Sequence, residues 1–202
     1  MVVPSVHAPP KIHPLGSALS ELTSPQSALA RRSRAVGATF FAVFGGAWLA
    51  LWNYRAAPTR LWVYGIIAAG ALAILLWARA RYRRYAGAAA GMAEIPEQQR
   101  RQRWFHIINA GQWVVILIVG NVLANVGLGN WVIPAVILIV GLHFLPLAPL
   151  FSNPVLYATG AAFILLALIY LFMAAGGPAD SVGCLGAGLI LWLSALLALT
   201  RR

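Results

Sequence analysis

Charged side chains are scarce in this 202-residue sequence: they make up 9% of it, and only four are acidic. Soluble domains carry about 25% charged residues. The stretch from Trp104 through Ala179 contains no Asp, Glu, Lys or Arg. Because 61% of the residues are apolar, a soluble fold of this length would leave much apolar surface in water. The composition therefore predicts an integral membrane protein with lipid as its solvent.

Cysteine and the common catalytic motifs are also missing. The single cysteine, Cys184, excludes an intramolecular disulfide and a cysteine-based metal cage. The sequence has no His-Glu-x-x-His pair, no Gly-x-Ser-x-Gly elbow, no Walker loop and no dinucleotide-binding fingerprint. We therefore predict no catalytic residue, no metal site and no cofactor, and a non-enzymatic role is favoured over an enzymatic one.

Long apolar stretches, each close to the roughly 20 residues that cross a bilayer, predict an all-α, polytopic membrane protein with six transmembrane helices. Segment 1–35 contains prolines and no helical period, which predicts a disordered cytoplasmic tail. A similarity between residues 37–40 and 160–163 favours, as one alternative, a fold of repeated helical hairpins. The predicted spans, within a transmembrane domain of residues 36–202, are 36–54, 60–79, 103–125, 131–149, 154–175 and 181–200.

The basic residues predict the orientation, because cytoplasmic segments carry an excess of Lys and Arg. Of the 15 basic residues, 13 lie in the tail, in or beside the loop 80–102, and at the C-terminus. With six spans these regions share one side, so both termini are predicted to be cytoplasmic. Arg outnumbers Lys 14 to 1, and Ala and Gly are abundant, which favours a GC-rich bacterial genome and hence a bacterial inner membrane.

The loop 80–102 and its flanks form a basic segment that is predicted to contact anionic lipid head groups. The position of its charges, beside the ends of apolar spans, is typical of membrane orientation rather than of a nucleic-acid groove, so no nucleic-acid partner is predicted. The residues predicted to contact lipid head groups are Arg79, Arg81, Arg83, Arg84, Arg100, Arg101 and Arg103.

Polar residues inside the predicted spans are the strongest indication of a site, because they are costly in lipid. His106, Asn109 and Gln112 recur every three residues in span three, so they share one helix face. His143 in span four is predicted to lie at a depth similar to that of His106 and Asn109. These four side chains predict a polar pocket that faces the cytoplasm.

Two features next to His143 extend this predicted pocket. Pro146 has no backbone N–H, so the carbonyl of Leu142 lacks its usual helical donor. Asn153 and Tyr157, at the start of span five, are predicted to close the pocket. The Ser152-Asn153-Pro154 sequence also predicts that span five begins there, with an N-cap followed by proline at the first helical position.

Three functions are compatible with these residues. The first is binding or permeation of a small polar solute through the predicted pocket. The second is a non-catalytic membrane assembly or lipid-organising component, in which Asn, Gln and His side chains only hold helices together. The third is a haem or metal protein that uses His106 and His143, although two histidines without a carboxylate or cysteine are a poor ligand set.

The segment Ile139-Val140-Gly141-Leu142-His143-Phe144-Leu145-Pro146 resembles one found in small bacterial multi-span membrane proteins of unknown function. In that group a Gly-x-His-Phe-Leu-Pro segment likewise ends a span. The resemblance covers about residues 104–172. It implies a multi-span fold and directs attention to His143, and it implies no particular activity.

Overall fold

The computed structural model describes residues 25–86 and 96–201, and within them the chain forms helices and turns but no strand. Each of the long helices has the length and composition needed to cross a membrane, which confirms the all-α prediction with six spans. Short 3-10 turns at Gly129–Trp131 and Gly177–Ala179 precede the fourth and sixth helices. The long helices are α1 (Pro25–Ala56), α2 (Leu61–Ala86), α3 (Pro96–Asn125), α4 (Val132–Leu150), α5 (Pro154–Met173) and α6 (Val182–Thr200).

Two helix starts follow directly from local chemistry. Asn153 is the N-cap of α5, and its Oδ1 accepts a hydrogen bond from the Val155 N–H at 3.1 Å. Pro154 occupies the first turn, where its missing N–H leaves no helical bond unmade. Before α6, the Asp180 carboxylate accepts from the Val182 N–H at 2.9 Å. The sequence predicted both of these boundaries.

The N-terminal helix starts earlier than the sequence indicated. Helix α1 begins at Pro25, so residues 25–35 of the segment predicted to be disordered are helical. A proline fits the first turn of a helix, and the arginines that follow belong to residue types that favour helices. Residues 1–24, which the sequence predicts to be disordered, and residues 87–95 of the basic loop lie outside the described part of the chain.

The six helices form an open row in the order α2, α1, α6, α5, α4, α3. Helix α1 packs between α2 and α6, and α5 packs between α6 and α4. Helix α3 stands at one edge and packs along α4. One face of the row is formed by the helix ends where α1 and α3 begin and α6 finishes. We call this face the basic end, because it carries the arginine clusters at Arg31–Arg34, Arg79–Arg84 and Arg100–Arg103.

The outward surface of the row is apolar. Leu117 and Ile118 of α3 are 62% and 58% exposed, and Leu72 of α2 and Leu165 of α5 are each 55% exposed. Large aliphatic side chains exposed along every helix suit hydrocarbon and would be unfavourable in water. This surface is therefore that of a multi-pass membrane protein.

The interior is held by aromatic rings and by close contacts at glycines. Phe144 of α4 packs edge-on against Phe41 of α1 and Phe163 of α5, with ring centroids 5.6 and 5.9 Å apart. Helices α4 and α5 cross at Gly141 and Gly160, where a Cβ on Gly160 would lie 2.8 Å from the Gly141 carbonyl oxygen. In lipid, small residues at an interface favour helix association because they let the two backbones approach closely.

The predicted hairpin repeat is not reflected in equivalent packing of the two similar segments. Gly160 lies at the crossing of α4 and α5, whereas a Cβ on Gly37 would meet nothing within 4 Å. The glycine of α1 that approaches another backbone is Gly45, which lies beside Gly188 of α6. The sequence similarity therefore does not place the two segments in matching environments.

A buried hydroxyl pair joins α5 and α6. The hydroxyls of Thr159 and Ser194 are 2.8 Å apart, and both residues are buried. Thr159 also donates to the Val155 carbonyl at 2.9 Å, so its single proton is used and Ser194 is the donor in the pair. A polar contact between helices of this kind is what the second function, a membrane assembly component, requires. It is made by Thr159 and Ser194, which the sequence did not indicate.

We expect a coupling energy of about 0.6 kcal/mol between Thr159 and Ser194, the average for interhelical hydrogen bonds in membrane proteins. The measurement is a double-mutant cycle on Thr159→Val and Ser194→Ala, followed by unfolding in mixed detergent micelles. If the double variant loses a free energy of unfolding equal to the sum of the two single losses, the hydrogen bond between Thr159 and Ser194 contributes nothing to stability.

Candidate functional site

The edge helix α3 carries the polar face that the sequence predicted. None of its apolar stretch is buried within the row. Phe105 near its start packs edge-on against Phe151 at the end of α4, with ring centroids 5.7 Å apart. That contact sets how far α3 lies along α4, and hence which of its polar residues face the neighbouring helix.

A shallow groove of about 240 Å³ runs between α3 and α4. It brings together two of the predicted site residues, Gln112 of α3 and His143 of α4. Its other walls are apolar, so these side chains supply the polar chemistry of the groove. The lining residues are Ile108, Gln112, Val115, Ile139, Leu142 and His143.

The polar groups of the groove have unused hydrogen-bonding capacity. Among the described residues, the side chains of Gln112 and His143 make no hydrogen bond to the protein. The Leu142 carbonyl adds an acceptor, because residue 146 is proline and cannot donate to it. By contrast, Asn121 and Asn125 of α3 each donate to a carbonyl of their own helix at 2.9 Å. Gln112 and His143 thus keep hydrogen-bonding groups available for a ligand, whereas the side-chain amides of Asn121 and Asn125 bond to their own helix.

The remaining residues of the predicted ladder, His106 and Asn109, do not line the groove. His106 is exposed, and it is six residues, about 9 Å of helix rise, from Gln112. Asn109 is half-buried between them and is not a lining residue of the groove. The sequence predicted that His143 lies at a depth similar to that of His106 and Asn109, and the structure brings it together with Gln112 in the groove. A site that needs both histidines around one centre is therefore not formed by the groove.

Asn153 and Tyr157 do not line the groove. The Asn153 side chain caps α5, and Tyr157 is 49% exposed in the first turn of that helix. Helix α5 packs on α4 from within the row, whereas α3 packs on α4 from its edge. The structure therefore separates these two residues from Gln112, although all were predicted to share one pocket.

The Gly-x-His-Phe-Leu-Pro segment combines three roles in a single turn and a half of α4. Gly141 forms the crossing with α5, His143 lines the groove, and Phe144 fills the core. No family model, curated protein or solved structure matches this chain. The resemblance of this segment to other multi-span proteins thus stays a prediction.

A second polar region lies at the basic end, where α1 and α2 are joined by two arginine–tyrosine pairs. Arg32 donates to the Tyr82 hydroxyl at 2.7 Å and its guanidinium lies 4.9 Å from the ring centroid. Arg31 makes the same pair of contacts with Tyr85, at 3.4 and 5.4 Å. Hydrogen bonds combined with cation–π contacts hold these guanidinium groups in place.

The arginines predicted to contact lipid head groups are divided between the two edges of the row. Arg79, Arg81, Arg83 and Arg84 extend from the last turns of α2. Arg100, Arg101 and Arg103 are exposed on the first turns of α3. From the sequence, the arginines of residues 31–34 and Arg201 indicated only the orientation of the chain in the membrane. The i, i+3 spacing of Tyr82 and Tyr85 was the signal that an arginine-bearing helix packs beside α2.

Proposed function

We propose that this protein binds a small hydrogen-bonding molecule, or the polar head of a larger amphiphile, in the groove between α3 and α4. The observation that carries the proposal is the joint position of Gln112 and His143. Both face one groove, and neither side chain has a hydrogen-bond partner among the described residues. Polar groups without partners are costly in hydrocarbon, so a bound molecule that pairs with them is favoured.

The alternative, in which these residues only hold helices together, is less well supported. That role requires hydrogen bonds between helices, and the described part of the chain makes such bonds elsewhere. Thr159 and Ser194 join α5 to α6, and Trp192 donates to the Ala42 carbonyl to join α6 to α1. Gln112 and His143 make no comparable bond, which supports a role in binding.

The groove supports binding more directly than permeation. It is an open groove at the edge of the row, and its lining residues Val115 and Leu142 are 44% and 49% exposed. His143 is seven residues, about 10 Å of helix rise, from the end of α4 at the basic end. We infer that the basic end faces the cytoplasm of a bacterial inner membrane, because Lys and Arg concentrate on that side. A ligand then enters from the cytoplasmic half of the bilayer.

The ligand class follows from the groups in the groove. The Gln112 amide offers both donors and an acceptor, a neutral His143 ring offers one of each, and the walls are aliphatic. A volume of about 240 Å³ lies below the range typical of drug-sized sites. The groove therefore suits a compact molecule with a carbonyl, hydroxyl or amide group next to an apolar body.

The test compares Gln112→Leu and His143→Leu with the wild type in a thermal-stability screen of small polar solutes and short amphiphiles. A ligand at 100 times its Kd stabilises the wild type by about 2.7 kcal/mol. That energy corresponds to a rise in Tm of roughly 5–10 °C for a chain of this size. We expect both variants to lose this stabilisation, while Asn121→Leu on the same helix keeps it.

The ligand-free variants separate binding from a structural role. Leucine removes a polar group that has no partner, so each variant is expected to be as stable as the wild type or slightly more so. If both substitutions lower the stability of the ligand-free protein and no compound distinguishes them from the wild type, the residues are structural and the proposal is wrong.

A further inference from the structure

Helix α3 ends the row on one side, and the face that it turns away from α4 packs against nothing in the described part of the chain. Phe105, Ile108 and Gln112 mark the side of α3 that faces α4. Asn121 comes nine residues after Gln112, which is two and a half helical turns and therefore the opposite side. We call this opposite side the outward face of α3, and its members, all exposed, are Ile107, Ala110, Val114, Leu117, Asn121 and Ala124.

The outward face follows a repeat of seven residues. Its members are separated by alternating steps of three and four, which is the spacing by which two helices pack along a common seam. Ile107, Val114 and Asn121 recur at the first position of the repeat, and the second position carries a leucine and two alanines. β-Branched residues with a single Asn at the first position favour a parallel pair of helices in one register. The alanines let two backbones approach closely in lipid.

Asn121 provides the polar group of this face. Its Nδ2 donates to the Leu117 carbonyl at 2.9 Å, which uses one of the two donors of the amide. The Oδ1 acceptor and the second N–H make no hydrogen bond to the described residues, and the side chain is exposed about 6 Å of helix rise before the end of α3. The other edge of the row has no such group, since residues 65–78 of α2 contain no hydroxyl or amide side chain. An exposed amide is costly in lipid, so a partner with both a donor and an acceptor is favoured.

We propose that the outward face of α3 packs against the same face of a second copy of this chain. Two copies inserted in the same orientation are related by a twofold axis along the membrane normal, so their α3 helices run parallel and identical residues meet at the same depth. The two Asn121 amides then face each other, and each donates its second N–H to the Oδ1 of the other. An amide is self-complementary in this way, whereas an apolar helix of another protein would leave it unpaired.

The contact between the two copies extends over most of the membrane. From Ile107 to Ala124 the helix rises about 26 Å, compared with about 30 Å of hydrocarbon. Arg100 and Arg103 continue the same face at the basic end, where the like charges of two copies repel each other. The contact therefore ends near Ile107, and the two helices diverge towards the basic end. Gln112 lies on the other side of α3, so the α3–α4 groove stays open in the dimer.

The first experiment locates the contact by disulfide cross-linking of the full-length protein in lipid bilayers. Val114→Cys places a thiol on the outward face, and Val115→Cys places one on the adjacent residue, which lines the α3–α4 groove. The two valines are exposed to a similar extent, 54% and 44%, and the buried Cys184 cannot reach a second copy. A disulfide requires Cα atoms within about 7 Å, so we expect oxidation to link copies of the first variant and few of the second. Equal cross-linking of both variants, or none in either, would overturn the proposal.

The second experiment measures the affinity of association by energy transfer between labelled copies over a range of protein-to-lipid ratios. Asn121→Leu is expected to weaken the dimer about 5- to 30-fold, the range that polar contacts between model membrane helices provide. Asn125→Leu is the matched control, because Asn125 also donates to its own helix but is the last residue of α3, where water can pair with it. We expect it to change the affinity less than about threefold. If the wild type stays monomeric, or if the two variants associate equally well, the proposal is wrong.

A charge variant changes the affinity in the opposite direction. Arg103→Gln removes a repulsion between the two copies, so we expect the dimer to become up to about fivefold tighter. Arg84→Gln, at the end of α2 on the other edge of the row, removes the same charge and is expected to leave the affinity unchanged. A weaker dimer after Arg103→Gln would show that the two α3 helices do not meet along the outward face.

Discussion

Replacement of Trp192 by alanine is expected to lower the free energy of unfolding by about 3 kcal/mol, the lower end of the range for buried Trp→Ala substitutions. The indole lies in a slot between Gly45 of α1 and Gly70 of α2, where a Cβ on Gly70 would be 2.6 Å from the ring. Its Nε1 also donates to the Ala42 carbonyl at 3.1 Å. One side chain of α6 therefore fixes two other helices, and alanine would leave a void that no neighbouring side chain fills.

The measurement is unfolding in mixed micelles together with thermal melting, where 3 kcal/mol corresponds to roughly 6–12 °C. Trp113→Ala is the matched control, since Trp113 lies in the apolar stretch of α3 and is 48% exposed. Trp192→Phe keeps most of the packing and removes the hydrogen bond, so a loss of about 1 kcal/mol is expected. If Trp192→Ala and Trp113→Ala have equal effects, the slot does not hold the helices together.

This contact also shows why the order of the row was not predictable from the sequence. Six spans follow from length and composition, because any helix that crosses lipid must be apolar over about 20 residues. The same requirement makes each helix apolar on all sides, so no hydrophobic stripe indicates which face meets a neighbour. The position of α6 beside α1 depends on Gly45, Gly188 and Trp192, residues far apart in the sequence.

The candidate site was predictable in part for a related reason. The spacing of His106, Asn109 and Gln112 places them on one face whatever the fold, since it follows from the helical repeat. Which of them meets α4 depends on the lengthwise position of α3, and that is set by the contact of Phe105 with Phe151. The sequence therefore identified the polar face and His143, but not the pairing of His143 with Gln112.

The arginines of residues 31–34 illustrate a different limit. As part of a disordered tail they would contribute only to orientation. Because α1 begins at Pro25, they belong to a rigid helix whose face towards α2 meets Tyr82 and Tyr85. The extension of the helix beyond the apolar span gives these charges fixed positions beside α2, and no apolar period marks that extension in the sequence.

Gly160→Ala is expected to destabilise the protein by about 2 kcal/mol, within the range for overpacked interiors. The new Cβ would lie 2.8 Å from the Gly141 carbonyl oxygen, and a backbone atom cannot rotate away as a flexible side chain does. The crossing of α4 and α5 must then widen. Gly120→Ala on α3 is the control, because its Cβ would meet nothing within 4 Å. Unfolding measurements should show that the control leaves stability unchanged or raises it by up to about 1 kcal/mol.

The same substitution connects packing to the proposed site. Gly141 is two residues from His143, so a displacement of α4 at the crossing also moves His143 relative to Gln112. We therefore expect Gly160→Ala to weaken ligand binding in the α3–α4 groove. Retention of groove binding by the folded variant would show that the crossing does not position His143.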